Sequence, residues 1–176
     1  MALFADMVGF SKLTEQDAPS FFVNFLGKVA RTIAANPVTP VFWNTWGDGL
    51  FVVFDDVGDG AEFELHLRDA VVGTDWAAVG LPVGTSVRIG MHAGPVFPAL
   101  DPITQRQNFF GSHVNRAARV EPVTAPGSVY VAEQMASLLV ASRTAAFACD
   151  YLGTMDLAKH FGASRVYRLR RSDESE

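Results

Sequence analysis

The apolar and polar positions in the first part of the chain follow two different periods. Residues 1–8 are apolar apart from Asp6 and then meet Gly9, a pattern typical of a buried strand that ends in a turn. Over residues 17–35, apolar side chains recur at helical spacing until an Asn-Pro pair stops the pattern. The chain is therefore predicted to begin with a strand followed by a helix.

The next stretch predicts a β-hairpin. Residues 38–45 and 50–54 are short β-type runs, and the segment between them, residues 46–49 (WGDG), contains the Asp-Gly pair that favours tight hairpin turns. Asp48 is therefore predicted to lie at the tip of a hairpin.

A second helix over residues 62–79 and a strand over residues 86–96 complete the order β-α-β-β-α-β. This order is the split βαβ arrangement, so the predicted fold class is α/β (α+β) with a ferredoxin-like core and a C-terminal extension. The extension is predicted to contain an excursion at 97–108, a helix at 111–120, a loop at 122–127, a strand at 129–132, a helix at 133–141, strands near 147–152 and 166–169, and a polar tail at 172–176 that does not pack.

Composition narrows the class of protein. The 176 residues are 49% hydrophobic and 19% charged, which suits one globular domain, and no apolar run approaches the ~20 residues of a bilayer span. The protein is expected to be soluble and cytoplasmic, with no membrane partner. A net charge of −5 gives no support for binding long nucleic acid, and the lone Cys149 excludes an internal disulfide.

Two aspartates carry the first candidate chemistry. If the strands pair in the predicted order, Asp6 and Asp48 lie at the same edge of the sheet, where two carboxylates can hold divalent cations such as Mg²⁺. Asp48 alone is also explained as a residue that caps a turn. Asp6 is harder to explain in this way, because a carboxylate in an apolar strand end costs several kcal/mol unless it is paired or metal-bound.

Four segments then establish a resemblance to a known family. Two resemble the first and second metal motifs of class III nucleotidyl cyclases, one resembles the strand that follows, and one resembles the helix that bears the transition-state residues. In chain order they are residues 4–11 (FADMVGFS), 46–49 (WGDG), 88–96 (RIGMHAGPV) and 110–119 (FGSHVNRAAR). The similarity continues into residues 125–131, so it implies a class III cyclase catalytic domain over residues 1–171. Such domains close a nucleoside triphosphate into a 3′,5′-cyclic monophosphate and pyrophosphate.

The resemblance also implies roles for individual residues. Asp6 and Asp48 would bind two divalent cations per site, Mg²⁺ or Mn²⁺, with the backbone carbonyl of Met7 as a further ligand. Asn115 would orient the ribose, and Arg119 would stabilise charge on the phosphoryl oxygens as pyrophosphate leaves. Their spacing of four residues places both on one helix face, although Arg119 taken alone is equally well a solvated surface charge.

Family members supply the asparagine and arginine from the subunit opposite the metal aspartates, so the resemblance implies a homodimer with two shared active sites. It also assigns phosphate binding to Gly9 and Phe10 after the first strand and to Lys159 before the last. A lysine at a helix end that faces solvent is the alternative for Lys159. Of the four histidines, His92 is expected to pack in the sheet, and His113 is a candidate for lining the site.

The base-reading positions depart from the family pattern. Adenylate cyclases have a lysine where this chain has Asn44, and an acid or threonine where it has Asn108. An amide offers both a donor and an acceptor, which suits the edge of uracil. Trp46, together with Phe109 and Phe110, is expected to narrow the base pocket, and ordinary sheet packing is the alternative for these aromatic residues.

Residues 44–49 (NTWGDG) and 101–104 (DPIT) are similar to a divergent bacterial branch that includes the pyrimidine cyclases of Pycsar antiphage defence. That likeness implies conversion of UTP, or less favourably CTP, into a cyclic nucleotide that acts on a separate effector. Two other readings stay open: an adenylate cyclase with unusual base contacts, and an inactive regulatory module of the same fold.

Overall fold

The computed structural model describes residues 1–142 and 145–174. Seven strands form one mixed sheet in the order β2-β3-β1-β4-β7-β9-β8, and β5 and β6 form a separate two-stranded hairpin. The strands are β1 Ala2–Val8, β2 Phe42–Trp46, β3 Gly49–Val53, β4 Ser86–His92, β5 Phe97–Leu100, β6 Gln107–Phe110, β7 Ser128–Ala132, β8 Phe147–Leu157 and β9 Gly162–Arg171. The helices are α1 Ala18–Ser20, α2 Gly27–Ala35, α3 Val57–Val72, α4 Ser112–Val120 and α5 Glu133–Ala141; a π-helical segment, Phe21–Leu26, joins α1 to α2.

The predicted ferredoxin-like core is confirmed. Strand β1 lies between β3 and β4 and is antiparallel to both, and β2 pairs with β3 at the edge. The C-terminal extension continues the same sheet, because β7 joins β4 in parallel and β9 and β8 follow it. The predicted helix of residues 17–35 is present, with the π-helical segment within it.

Both faces of the central sheet are covered, which explains why β1 is apolar almost throughout. Leu3, Ala5 and Met7 point to one face and pack with side chains of α2, α3 and α5. Ala2 and Phe4 point to the other face, which α4 covers. Asp6 belongs to this second face by the alternation of the strand, so its carboxylate lies on the same side of the sheet as α4.

Several boundaries differ from the prediction. The strands of the hairpin are Phe42–Trp46 and Gly49–Val53 rather than residues 38–45 and 50–54, and the loop is Gly47-Asp48 because Trp46 pairs with Gly49 across the ladder. Gly47 has a φ of 62°, a conformation that a glycine adopts without the cost of a Cβ clash. Helix α3 ends at Val72, before Gly73, and the predicted remainder of that helix contains the short 3₁₀ turn Ala77–Val79.

The prediction that the polar tail does not pack is wrong for residues 172–174. The Ser172 N–H donates to the carbonyl of Ala146, and Glu174 forms an ion pair with Arg68 at 2.7 Å. An ion pair, rather than the burial of apolar side chains, holds this segment against the domain. Residues 175–176 lie outside the described part of the chain. None of the described helices is long and apolar enough to cross a membrane.

Helix α3 carries a buried carboxyl group in the core. Glu64 is 0% exposed, and neither of its side-chain oxygens has a hydrogen-bond partner in the described part of the chain. Burial raises the pKa of Glu64 well above its usual range, because a carboxylate that loses its hydration is strongly disfavoured. Burial therefore favours the neutral acid form of this side chain in the folded protein.

We expect Glu64→Met to stabilise the fold more at pH 8 than at pH 5. The pKa of Glu64 in the folded state lies above its value in the unfolded state, so between these two pKa values the folded state binds the extra proton. The free energy of unfolding of the wild type therefore falls as pH rises from the unfolded pKa towards the folded one, by up to about 1.4 kcal/mol per pH unit. Urea denaturation at both pH values measures this slope. Glu15→Met, at an exposed site, is the control; equal slopes in wild type and Glu64→Met would contradict the expectation.

Candidate active site

The structure brings Asp6 and Asp48 together, as the strand order predicts. Asp6 lies near the end of β1, and Asp48 lies in the loop between β2 and β3, the neighbouring hairpin. Both aspartates line a small cavity that also contains Gly49. The two carboxyl groups share a hydrogen bond, so two acidic groups lie side by side.

The pKa of Asp48 is raised in this pair. Burial, reinforced by the hydrogen bond and the charge of Asp6, raises the pKa of Asp48 to about 6, although Arg88 acts in the opposite direction. Two carboxylates in contact are an oxygen-only donor set of the kind that Mg²⁺ prefers. The described residues contain no group of three or more His, Cys, Asp or Glu side chains that could hold a metal ion. The residues present therefore fit a divalent cation.

An arginine connects this pair to helix α4, and the sequence analysis did not find it. Arg88 lies opposite Asp6 in the ladder of β1 and β4, and its Nη2 donates to Asp6 Oδ2 at 2.9 Å. Its Nε lies 3.1 Å from Glu121 Oε1, just beyond the end of α4. Burial raises the pKa of Glu121 to about 7; Arg88 opposes this shift, and the charges of Asp6 and Asp48 add to it. Only the register of two strands distant in sequence reveals this contact.

Helix α4 presents the two predicted transition-state residues. Val114, Ala117 and Val120 are buried against the sheet, which turns Asn115 and Arg119 away from it, one helical turn apart. Asn115 is exposed, and Arg119 is half-buried with its guanidinium donating to the carbonyl of Ala118 at 3.2 Å.

The start of α4 is fixed to the sheet by a histidine pair. His92 is buried at the end of β4, as predicted, and its Nε2 lies 2.8 Å from Nδ1 of His113 on α4. Burial lowers the pKa of His92 to about 4, with contributions from the charges of His113 and Arg116. The two histidines are 21 residues apart, and no spacing rule predicted their contact.

The predicted phosphate-binding residues lie in two places. Gly9 has a φ of 86° and starts the 3₁₀ turn Phe10–Lys12, and a Cβ on Gly47 would lie 4.0 Å from the ring of Phe10, so this turn adjoins the Asp48 loop. Met7, between this turn and Asp6, packs its side chain in the core.

Lys159 is exposed in the turn between β8 and β9, with a φ of 59°. The alternative is wrong about the helix end, because the chain reverses here in a β-hairpin, and its expectation that the side chain faces solvent is confirmed. Arg116 lies over the ring of Phe161 at 5.6 Å, which places this turn beside α4.

Asn44 and Asn108 line one groove of about 570 Å³, between β2 and the hairpin of β5 and β6. Trp46 also lines it, on the strand face expected from its spacing to Asn44. Phe109 instead packs in the core against Phe42, with ring centroids 5.4 Å apart, and Phe110 is 43% exposed. Ordinary packing therefore accounts for Phe109.

Comparison with known proteins supports the resemblance. Residues 1–170 match the family described as the adenylate and guanylate cyclase catalytic domain. The chain is 31% identical over 172 residues to the pH-sensitive adenylate cyclase MT1302 of Mycobacterium tuberculosis, covering 96% of this chain and 40% of that protein. It is 31% identical over 153 residues to guanylate cyclase 2G of Mus musculus, covering 79% of this chain and 14% of that protein. The chain thus spans less than half the length of these relatives.

Solved structures share the fold at low sequence identity. The adenylyl cyclase CyaB from P. aeruginosa superposes with a TM-score of 0.79 at 17% identity, covering 99% of this chain and 93% of that one. The guanylate cyclase domain of RhGC from Catenaria anguillulae, in complex with GTP, superposes with a TM-score of 0.77 at 20% identity, covering 97% and 94%.

We expect Gly90→Ala to destabilise the protein by about 1 to 3 kcal/mol. Gly90 lies on β4 beneath the end of α4, and a Cβ there would overlap the backbone nitrogen of Glu121, which cannot yield without moving the helix end. Urea denaturation followed by circular dichroism measures the loss. Gly84→Ala is the matched control, because a Cβ at Gly84 meets nothing within 4 Å; equal stability of the two variants would contradict this packing.

Proposed function

Because the chain belongs to the adenylate and guanylate cyclase catalytic domain family, we propose that it is a nucleotidyl cyclase domain that converts a nucleoside triphosphate into a 3′,5′-cyclic nucleotide and pyrophosphate. The observation that carries the proposal is the contact between Asp6 and Asp48 on the sheet. Arg88 connects this pair to helix α4, which presents Asn115 and Arg119.

Asp6, Asp48 and the carbonyl of Met7 would hold two divalent cations. When bound, such cations activate the ribose 3′-hydroxyl for attack and neutralise charge on the phosphates. Arg88 holds the Asp6 carboxylate in place through its hydrogen bond, so that one oxygen is already oriented. The resting pair is crowded with negative charge, and cation binding would relieve that repulsion.

The side chains of α4 would act on the rest of the substrate. Asn115 would orient the ribose, and Arg119 would donate hydrogen bonds to the phosphoryl oxygens as pyrophosphate leaves. Phosphoryl transfer depends on positioning and charge stabilisation more than on covalent catalysis, so donors held on a packed helix suit the task. Gly9 and Phe10 beside the Asp48 loop, and Lys159 beside α4, would contact the triphosphate.

We propose a homodimer with two shared sites, in which the metal aspartates of one protomer face Asn115 and Arg119 of its partner. Exposed apolar side chains on β2, on β5 and in the loop after β5 support this, since Trp46 is 53%, Phe97 64% and Ile103 91% exposed. Apolar side chains that stay exposed in a folded chain can mark a surface that another protein covers.

A mixture of two inactive variants tests the shared site. Asp48→Ala and Arg119→Ala should each be inactive, and mixing them should restore roughly a quarter of the wild-type rate, because half the dimers are mixed and each carries one intact site. Cyclic nucleotide formation is the measurement. The control mixture of Asp48→Ala with Asp6→Ala should stay inactive, because both changes fall on the same half-site. If neither mixture regained activity although the subunits were shown to exchange, this result would contradict the shared site.

We further propose that the base is a pyrimidine, with UTP as the first candidate and CTP as the second. Asn44 and Asn108 stand where purine cyclases place their base-reading residues, and Trp46 contributes bulk to the same groove. The cyclic product would then act as a second messenger on a separate effector in antiphage defence, inside the cytoplasm. The alternative is an adenylate cyclase with unusual base contacts, which the identity to the mycobacterial adenylate cyclase favours. An inactive module is disfavoured because all four catalytic and metal positions are retained.

We expect an equimolar mixture of the four ribonucleoside triphosphates, with Mn²⁺ or Mg²⁺, to yield mainly cyclic UMP. A base-reading hydrogen bond left unmade in a buried site costs about 1 to 3 kcal/mol, or roughly tenfold to more than a hundredfold in selectivity. Chromatography of the products measures the preference, and Asn44→Ala should reduce the preference more than the total rate. Dominant cyclic AMP would remove the pyrimidine assignment and leave the cyclase assignment standing.

A further inference from the structure

The guanidinium of Arg88 is divided between two carboxyl groups on different elements. Its Nη2 donates to Oδ2 of Asp6 on β1 at 2.9 Å, and its Nε lies 3.1 Å from Oε1 of Glu121, just after α4. Of the described carboxyl groups, only these two lie within ion-pair distance of Arg88. Its positive charge also acts on Asp48, beside Asp6. One guanidinium therefore stands between the aspartate pair and the end of α4.

The contact between Arg88 and Glu121 does not explain itself as a stabilising one. Arg88 Nε and Glu121 Oε1 are both buried, and neither has a hydrogen-bond partner among the described residues. A buried ion pair offsets the desolvation of its two charges only when good hydrogen bonds accompany it. The raised pKa of Glu121 agrees with this, because burial opposes its charge more strongly than Arg88 supports it. The carboxylate of Glu121 is therefore held at a cost to the fold.

The orientation of Asp6 shows what this contact can do. Oδ2 of Asp6 accepts from Arg88, while Oδ1 lies 4.0 Å from the position that a Cβ on Gly49 would take, so it faces the loop of Asp48. A guanidinium has five N–H donors and readily binds a carboxylate through two of them. Without a second anchor, Arg88 would be free to take both oxygens of Asp6 or to reach Asp48. Either movement would occupy oxygens that a cation needs.

We propose that Glu121 is a positioning residue of the metal half-site: it holds the Nε edge of Arg88, so that Arg88 orients Asp6 through one N–H and leaves Asp48 to the cation. This inference rests on the proposed function, in which Asp6 and Asp48 hold divalent cations. Glu121 does not touch the cation and acts through Arg88. All four side chains belong to one chain, so the arrangement needs no partner subunit. Residues that orient metal ligands in this way commonly change metal affinity by 10- to 100-fold.

Cation affinity and stability should respond differently to Glu121→Gln, which removes the charge and keeps the size. At pH 8, above the pKa of about 7 of Glu121, we expect the Kd for Mn²⁺ to rise about tenfold, because Arg88 then competes for the aspartates. Electron paramagnetic resonance of the free ion measures this Kd. The urea midpoint without metal should stay the same or rise, because a buried charge is removed. Loss of a merely structural residue would lower it.

A double-mutant cycle separates an effect through Arg88 from a direct effect of the charge. In an Arg88→Met background, Glu121→Gln should change the Mn²⁺ affinity by less than about twofold, because the guanidinium that Glu121 holds is gone. If Arg88→Met does not fold, Arg88→Lys takes its place, since an ammonium lacks the Nε edge, and the effect of Glu121→Gln should again shrink. Glu133→Gln is the matched control: Glu133 pairs with Arg165 at 2.7 Å on the surface, and its loss should leave the affinity unchanged.

The outcomes separate this inference from the proposed function. Unchanged Mn²⁺ affinity in Glu121→Gln, a lowered urea midpoint, or an equal loss of affinity with and without Arg88 would each overturn the inference, and cyclase activity would be unaffected as a conclusion. If wild type and Asp48→Asn bound Mn²⁺ equally, the ion would not occupy this pair, and the metal assignment and the inference would fall together. If no nucleotide were cyclised while Glu121→Gln still weakened Mn²⁺ binding through Arg88, the proposed function would fail and the inference would stand.

Discussion

Two carboxylates in contact, Asp6 and Asp48, set the constraint on which the rest of this site depends. Burial raises the pKa of Asp48 to about 6, and the hydrogen bond and the charge of Asp6 add to this shift. The fold maintains the contact because each residue belongs to a rigid element, β1 for Asp6 and the tight loop of the adjacent hairpin for Asp48. Arg88 offsets part of the cost from the other side of β1.

The same arginine links the aspartates to helix α4. Arg88 reaches Glu121 beyond the end of the helix, while His113 at its start is held to His92 of the sheet. Gly90 lies between these two anchors on β4 and lets the backbone of Glu121 approach closely. Helix α4 is therefore fixed at both ends, which gives Asn115 and Arg119 defined positions on its outer face, as the catalytic role proposed for them requires.

The groove that would receive the base is built from a different part of the chain. Strand β2 forms one wall, and the hairpin of β5 and β6 forms the other, outside the ferredoxin-like core. The sequence indicated an excursion at residues 97–108 and marked Asn44 and Asn108 as base-reading candidates. It did not indicate that this excursion forms the paired strands β5 and β6.

The order of strands and helices, the tip position of Asp48 and the α4 face of Asn115 and Arg119 were determined by the sequence itself, because periodicity, turn residues and i to i+4 spacing are local properties. Where the sequence erred locally, the error lay at a boundary, as at the hairpin strands and at the end of α3, which lies at Val72 rather than at residue 79. Contacts between distant residues were decided only by the tertiary structure. The pairing of Arg88 with Asp6 and Glu121 and the contact of His92 with His113 both depend on strand register and helix packing. These are fixed by the burial of apolar faces across the whole domain, and no local pattern encodes them.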